Sequence, residues 1–139
     1  MEIEQTLRDI RLPVGIQPPG FNPVTREMLQ EIVQRIVDGL HPEQIILFGS
    51  YARCGNDPDS DPTPDSDLDI LVVMETDARP VERTLAVSRL LRPRPFPMDI
   101  LVRTPQEIKF ALKMKDRFIE DVISHGILIY RNKISGKFL

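Results

Sequence analysis

The chain has 139 residues, of which 41% are hydrophobic and 28% are charged, and its formal net charge is −3. These values are typical of one soluble domain with its own core. They disfavour a non-specific nucleic-acid binder, which is usually basic, and no apolar run approaches the length of a membrane span. A single cysteine, Cys54, excludes an internal disulfide. The single cysteine and the N-terminal residues, which have no secretory features, together predict a cytoplasmic protein.

Charge is divided unevenly along the chain. Residues 1–78 carry 5 Lys and Arg against 15 Asp and Glu, whereas residues 79–139 carry 13 against 6. Folding could place the basic part beside the acidic part, or the two could be solvated faces of opposite sign.

The chain begins with a Pro-rich arm, residues 1–22, which could be a lid, a partner contact or a segment draped on the domain. An amphipathic helix is predicted at 22–40, with Asn22 as its N-cap and Pro23 in its first turn. Its apolar residues recur every three or four positions. They are Leu29, Ile32, Val33, Ile36, Val37 and Leu40.

The remaining elements alternate between strands and helices, which predicts a small α/β or α+β domain. Strands are predicted at 44–48, 68–74, 96–103 and 127–131. Helices are predicted at 81–92 and 104–126, the second being one long helix or two. Pro95 and Pro97 confine the start of the third strand to a sheet edge or to the point where the chain enters the strand. Thr104 is expected to cap the last helical segment and Gly126 to end it.

A Gly-Ser turn follows the first strand. If Gly49 and Ser50 open a helix, free backbone N–H groups and the serine hydroxyl would favour a phosphate. Taken alone, such a turn is usually plain turn chemistry. It is not a P-loop, because no Lys-Ser or Lys-Thr follows at the required spacing.

Three aspartates suggest a metal site. Asp67 and Asp69 are two residues apart on a strand, so they point to the same face. Their repulsion would be relieved by Mg²⁺, although they could simply lie at the solvated start of the strand. In "PMDILVR", Met98, Ile100 and Val102 form an apolar face and Asp99 projects from the other. If the two strands are neighbours, three carboxylates converge and could hold two Mg²⁺ ions.

The acidic run 55–66 is interpreted separately. Asp57, Asp59 and Asp61 imitate the start of an EF-hand loop, but Pro62 stands where that loop needs glycine and Leu68 where it needs glutamate. A stiff, exposed loop is the simplest interpretation of this stretch, and weak cation binding or a partner contact is the alternative.

The successive stretches "GSYAR", "SDLDILVV" and "MDILV" resemble the signature of the DNA polymerase beta-like nucleotidyltransferases. The resemblance is greatest to the small minimal nucleotidyltransferases (MNT) and covers residues 24–130. It implies a small mixed sheet with helices packed on one face. The predicted organisation is a catalytic domain at 23–131, with an insert at 55–66 and a tail at 132–139.

The resemblance also implies residue roles. Gly49 and Ser50 would bind the triphosphate of a nucleotide, most readily ATP, and Arg53 would brace the loop or contact phosphate. Asp67 and Asp69 would ligate two Mg²⁺ ions, and Asp99 would ligate the catalytic ion and favour deprotonation of the acceptor. The implied reaction transfers a nucleoside monophosphate to a hydroxyl and releases pyrophosphate.

Small members of this family often pair with a HEPN-type toxin as its antitoxin, and some adenylylate a tyrosine of that partner. We therefore expect a protein partner and a nucleotide, but neither a membrane nor direct nucleic-acid binding. There are two alternatives. The protein could be a non-catalytic antitoxin, or it could transfer the nucleotide to a small-molecule hydroxyl, in which case a homo-oligomer could supply the second domain that such an acceptor usually needs. Two departures bear on activity: Cys54 stands where the family commonly has glycine, and the 55–66 insert lengthens the loop.

Overall fold

The computed structural model describes residues 26–49, 68–92 and 98–132. The predicted arm at 1–22, the acidic insert at 55–66 and positions 133–139 of the predicted tail lie outside these residues, as do Asn22 and Pro23. Within the described ranges, no helix combines the length and the apolar character that a membrane crossing requires.

The described elements follow the predicted order, and, apart from the first described residue of α1, each end lies within two residues of its prediction. The helices are α1 (Arg26–Leu40), α2 (Pro80–Leu90), α3 (Pro105–Lys113) and α4 (Arg117–His125). The strands are β1 (Gln44–Phe48), β2 (Leu68–Val73), β3 (Met98–Arg103) and β4 (Ile127–Arg131).

The segment 104–126 forms two helices because its middle carries both a stop and a start signal. Lys115 has a φ of 58°, a left-handed conformation that ends helical progression. The Asp116 carboxylate then accepts hydrogen bonds from the backbone N–H groups of Phe118 and Ile119 and so caps α4. The predicted cap at Thr104 is confirmed as a capping box with Glu107, and Gly126 is the C-cap of α4.

The four described strands form one mixed sheet in the order β3-β2-β1-β4. The strand β1 is antiparallel to both of its neighbours, whereas β2 and β3 are parallel and are joined through α2. A parallel pair needs such a crossover, because the end of the first strand and the start of the second lie at opposite ends of the sheet along the strand direction. The strand β3 lies at an edge of this sheet, which is one of the two positions that its flanking prolines allow.

Both faces of the sheet are covered, and each face has its own core. One core joins the sheet to α1 and α2 and includes Leu29, Ile36, Val87, Ile70 and Ile100. The other joins it to α3 and α4 and consists of Ile46, Leu71, Val73, Ile108, Ile119 and Val122.

The α/β class and the mixed sheet are confirmed, but the expected packing of helices on one face is corrected to packing on both. The physical reason lies in β2, where Leu71 and Val73 make the face that carries Asp69 apolar too. A strand that is apolar on both faces must be covered on both. The unbroken run "ILVV" was the sequence signal for this arrangement.

An ion pair joins α2 to the start of α3. The guanidinium of Arg83, only 9% exposed, donates to Glu107 at 2.6 Å and also to the carbonyl of Ala78. Burial alone would raise the pKa of the Glu107 carboxyl. Hydrogen bonds from the Thr104 backbone N–H and from Arg83 outweigh it and lower this pKa below its ordinary value of 4.5.

This ion pair predicts a pH-dependent stability. Because the pKa of Glu107 is lower in the folded state, its contribution is present above pH 4.5 and is lost as the pH falls through the folded value. Glu107→Gln should destabilise by about 1 kcal/mol at neutral pH, a figure reduced for partial solvent screening. The difference from wild type in thermal melts should vanish in acid. Glu82→Gln, at an exposed pair, is the control, and a pH-independent deficit for Glu107→Gln would contradict the prediction.

Gln44 is a buried polar residue at the start of β1. It is 1% exposed, and neither its amide nitrogen nor its amide oxygen has a hydrogen-bond partner in the structure. Leaving such a group unsatisfied costs about 1–3 kcal/mol. We therefore expect Gln44→Met, which conserves much of the shape, to raise the midpoint of chemical denaturation. A lower midpoint would mean that the amide is satisfied in solution by an internal water.

Candidate active site

The candidate site begins with a row of register partners across three strands. Phe48 at the end of β1 lies opposite Asp69 of β2, and Asp69 lies opposite Asp99 of β3. Neighbouring strands are about 4.8 Å apart, and register partners point to the same face. The two aspartates are therefore side by side, although thirty residues separate them in the sequence.

The strands position these carboxylates at the margin of the second core. Leu71, Val73 and Leu101 follow on the same face and pack against α3 and α4. Asp69 and Asp99 come before this packed region, each as the second residue of its strand, and Asp69 is half-buried while Asp99 is exposed. On this face the strands are therefore apolar beneath α3 and α4, and their starts carry the two aspartates, of which Asp99 is exposed to solvent.

Gly49 closes the row on the β1 side. Its φ is +74°, a conformation that residues with a Cβ rarely adopt. A Cβ at this position would collide with Oδ2 of Asp69 and would lie 3.0 Å from its Cγ. The backbone of Gly49 therefore occupies space beside the carboxylate that no other residue type could use.

The predicted site residues divide into two groups. The structure brings Gly49 beside Asp69 and Asp69 beside Asp99. The sequence predicted the second contact only on the condition that the two strands are neighbours. Ser50, Arg53 and Asp67 lie outside the described residues, so their roles stay predictions. Among the residues that are described, no cluster of three acidic, histidine or cysteine side chains forms a metal site.

Asp99 carries a charge that its described surroundings do not compensate. Among the described Lys and Arg residues, none makes an ion pair with it. Its neighbour in the row is a second carboxylate, Asp69. Two adjacent carboxylates form a donor set of hard oxygens, which suits Mg²⁺ better than it suits a soft metal.

Sequence reasoning did not identify the aromatic side of this site. The ring of Phe118 in α4 packs edge-on against Phe48, with the ring centroids 5.7 Å apart and the planes at 83°. Phe118 remains 48% exposed. The periodicity of α4 could have marked Phe118 as apolar, but only the tertiary fold places it beside the strand that neighbours Asp69.

The strand order and the helices on this sheet define the nucleotidyltransferase fold of the polymerase beta type. Residues 30–135, most of the chain, match the family described as "Polymerase beta, Nucleotidyltransferase". The chain therefore belongs to this family and contains a nucleotidyltransferase domain.

One solved structure similar to this chain is that of a toxin-antitoxin MntA-HpeT mutant. The two chains are 14% identical with a TM-score of 0.49, and the match covers 78% of this chain and 76% of the other. No curated protein shows significant sequence similarity to the chain. Family membership therefore rests on the match to the family model.

Proposed function

We propose that the protein transfers a nucleoside monophosphate, AMP from ATP in the first instance, to a hydroxyl group of a protein partner. The observation that carries this proposal is the register of β2 and β3, which sets Asp69 beside Asp99. It is supported by Gly49, whose backbone lies against Asp69. The predicted ligand Asp67, two residues before Asp69, would project from the same face.

The residues fit a Mg²⁺-dependent reaction. Asp69 and Asp99 would hold the cation together with Asp67, because adjacent carboxylates at a solvated strand end supply the oxygen ligands that Mg²⁺ prefers. When bound, Mg²⁺ supplies charge neutralisation for the phosphate oxygens and the developing negative charge. Asp99, which makes no ion pair with a described Lys or Arg, is thus suited to this role.

The chain itself would position the reactants. Gly49 allows the triphosphate to approach the backbone, and Ser50 would donate its hydroxyl hydrogen to a phosphate oxygen. Asp99 would take the proton of the acceptor hydroxyl while the oxygen of that hydroxyl attacks the α-phosphorus. The bond between the α-phosphorus and the bridging oxygen breaks, and pyrophosphate leaves. Rate acceleration would come mainly from in-line placement and electrostatics.

The proposed acceptor class follows from the sequence resemblance. A protein acceptor could bring its own hydroxyl to the carboxylate row, whose Asp99 is exposed. Because the motifs resemble those of the MNT proteins, a tyrosine of a HEPN-type toxin is the proposed acceptor. The protein would then act as an antitoxin by modifying its partner.

The test is transfer of label from ATP carrying label on its α-phosphate, with Mg²⁺, to the protein encoded by the adjacent gene. Wild type should label the partner, and Asp69→Asn should not. Asp77→Asn, a change at an exposed aspartate outside the row, is the matched control and should transfer like wild type. Competition by unlabelled CTP, GTP and UTP reports the choice of nucleotide.

Two outcomes separate the proposed reaction from its rivals. If wild type transfers no label but still binds and silences the partner, and Asp69→Asn does so equally well, the protein is a non-catalytic binding module. If label appears on an added small-molecule alcohol but never on the partner, the acceptor class is different.

A further inference from the structure

Phe118 presents an aromatic ring close to the carboxylate row. The side chain is 48% exposed, and it packs edge-on against Phe48 with the ring centroids 5.7 Å apart. Phe48 lies opposite Asp69 in the register of β1 and β2, so the two point to the same face, the one that α3 and α4 cover. A ring that is held by one neighbour and remains half exposed can accept a second flat ring on its free surface.

The position of this ring matches the dimensions of a nucleotide. Register partners of an antiparallel pair have Cα atoms about 4.5–5.5 Å apart. Phe118 is one ring contact beyond Phe48, so its ring lies on the order of 10 Å from the Asp69 carboxylate. In a nucleoside triphosphate, the ribose holds the base at a comparable distance from the α-phosphorus. A nucleotide with its phosphates at Asp69 could therefore reach Phe118 with its base.

A small pocket adjoins the Phe118 ring. Its volume is about 150 Å³, several times the roughly 30 Å³ that one water molecule occupies in the liquid. The polar side chains that line it are those of Arg103, Glu107 and Asp116. Arg103 is four residues after Asp99 on β3, so both project from the same face of the strand. The pocket and the carboxylate row thus lie on the same side of the sheet.

The charges that line this pocket suit an uncharged group. Arg103 makes no ion pair with a described residue, and its guanidinium donates to the Val102 carbonyl at 2.9 Å, which leaves further N–H donors. Glu107 pairs with Arg83, and Asp116 uses its Oδ1 to cap α4. Two guanidinium groups and two carboxylates therefore balance each other. A neutral ring with hydrogen-bonding groups on its edge fits this lining better than a phosphate does.

We propose that Phe118 and the adjoining pocket bind the nucleobase of the triphosphate substrate. This inference rests on the proposed function and deepens it, since it assigns the base subsite of the same active site. The base stacks on the Phe118 ring, a contact that every base can make through its π-face. The edge of the base enters the pocket, where Arg103 donates to a ring nitrogen or a carbonyl oxygen of the base. The phosphates stay at the carboxylate row.

The experiment compares the Kd of ATP with the Kd of tripolyphosphate, both measured by calorimetry with Mg²⁺. Tripolyphosphate carries three phosphates but no base, so it reports on the phosphate and metal site alone. Phe118→Ala removes the ring, and Phe118→Tyr keeps its face. The matched control is Phe110→Ala, which removes a phenylalanine that is 54% exposed on α3 and lines an adjoining groove. Thermal melts verify the fold of each variant.

Phe118→Ala should weaken the Kd of ATP by about tenfold or more and leave the Kd of tripolyphosphate within about twofold of wild type. Phe118→Tyr and the control should bind both ligands as wild type does. Arg103→Met, which keeps the length of the side chain but removes its donors, should weaken the Kd of ATP by about threefold or more. It should leave the Kd of tripolyphosphate unchanged, because the pocket does not hold the phosphates.

Three results would overturn the base subsite. If Phe118→Ala weakened the binding of ATP and of tripolyphosphate equally, the ring would act by supporting Asp69 through Phe48. If it changed neither Kd but raised the KM for the partner protein, Phe118 would contact the acceptor. If Phe110→Ala weakened the Kd of ATP as much as Phe118→Ala did, the effect would not belong to this pocket.

The proposed function and the base subsite fail in different ways. If wild type binds ATP with the expected dependence on Phe118 but transfers no label, the proposed reaction fails and the base subsite stands. If wild type labels the partner and Phe118→Ala binds ATP as tightly as wild type, the reaction stands and the base subsite fails. If wild type binds neither ATP nor tripolyphosphate, both proposals are overturned.

Discussion

Asp99→Asn should abolish nucleotidyl transfer and yet stabilise the protein when divalent cations are absent. In the register of β2 and β3, Asp99 lies beside Asp69. Two like charges at this spacing repel by about 1 kcal/mol in a well-solvated setting, and more where solvent is partly excluded. Removing one charge removes this repulsion. A change of this size should raise the Tm by a few degrees in EDTA.

Added Mg²⁺ should reverse the order of stability. A cation bound by the folded state alone stabilises it in proportion to its occupancy, so wild type should gain Tm with Mg²⁺. Asp99→Asn should gain much less, because it lacks one of the proposed ligands. The rate of transfer should fall by about 10³-fold or more, since such a cation contributes several kcal/mol to transition-state stabilisation.

The control for this prediction is Asp77→Asn, which removes a charge at an exposed position after β2. This variant should not have a higher Tm than wild type in EDTA, and its Tm should increase with Mg²⁺ as much as that of wild type. If Asp99→Asn melted below wild type in EDTA and responded normally to Mg²⁺, Asp99 would be a structural residue. The metal would then have to be held without it.

Gly49→Ala is expected to be the most damaging single methyl addition in the described part of the site. The backbone conformation at φ +74° costs a residue with a Cβ about 1 kcal/mol or more. The added Cβ would also collide with the Asp69 carboxylate. The carboxylate must turn or the strand end must shift, and a displacement of about 1 Å can cost about 10²-fold in rate.

The matched control is Gly39→Ala near the end of α1. There an added Cβ would meet Leu90 Cδ1 at 2.7 Å, which is the mobile end of a flexible side chain. The gain in helix propensity of about 1 kcal/mol offsets that adjustment. Transfer by Gly39→Ala should therefore equal that of wild type, while Gly49→Ala loses kcat. If Gly49→Ala had the same kcat as wild type, the present orientation of the Asp69 carboxylate would not be needed for transfer.

Much of the architecture could be predicted from local patterns. The alternation of strands and helices and the cap at Thr104 all have short-range causes, and the structure confirms them. The break between α3 and α4 was left open, although Asp116 carries the signal of a helix start. The coverage of both faces was not predicted, although the apolar run of β2 makes both faces of that strand apolar after Asp69.

The candidate site shows the same division. The sequence determined which residue types were available: a glycine after the first strand, and aspartates that alternate with apolar residues at the starts of two others. That Asp67 shares a face with Asp69 is an expectation from the geometry of a single strand, so it needs no tertiary information. That Asp99 lies beside Asp69 depends on β3 pairing in parallel with β2 at one particular register.

The contacts between elements that are distant in sequence depend on the tertiary structure. Strand pairing is selected by the burial of whole faces and by the crossover through α2, so no local window of sequence contains it. The same applies to Phe118, whose position against Phe48 follows from how α4 packs on the sheet. The residue types that supply the chemistry are already present in the sequence. Packing between distant elements brings Asp69 and Asp99 together.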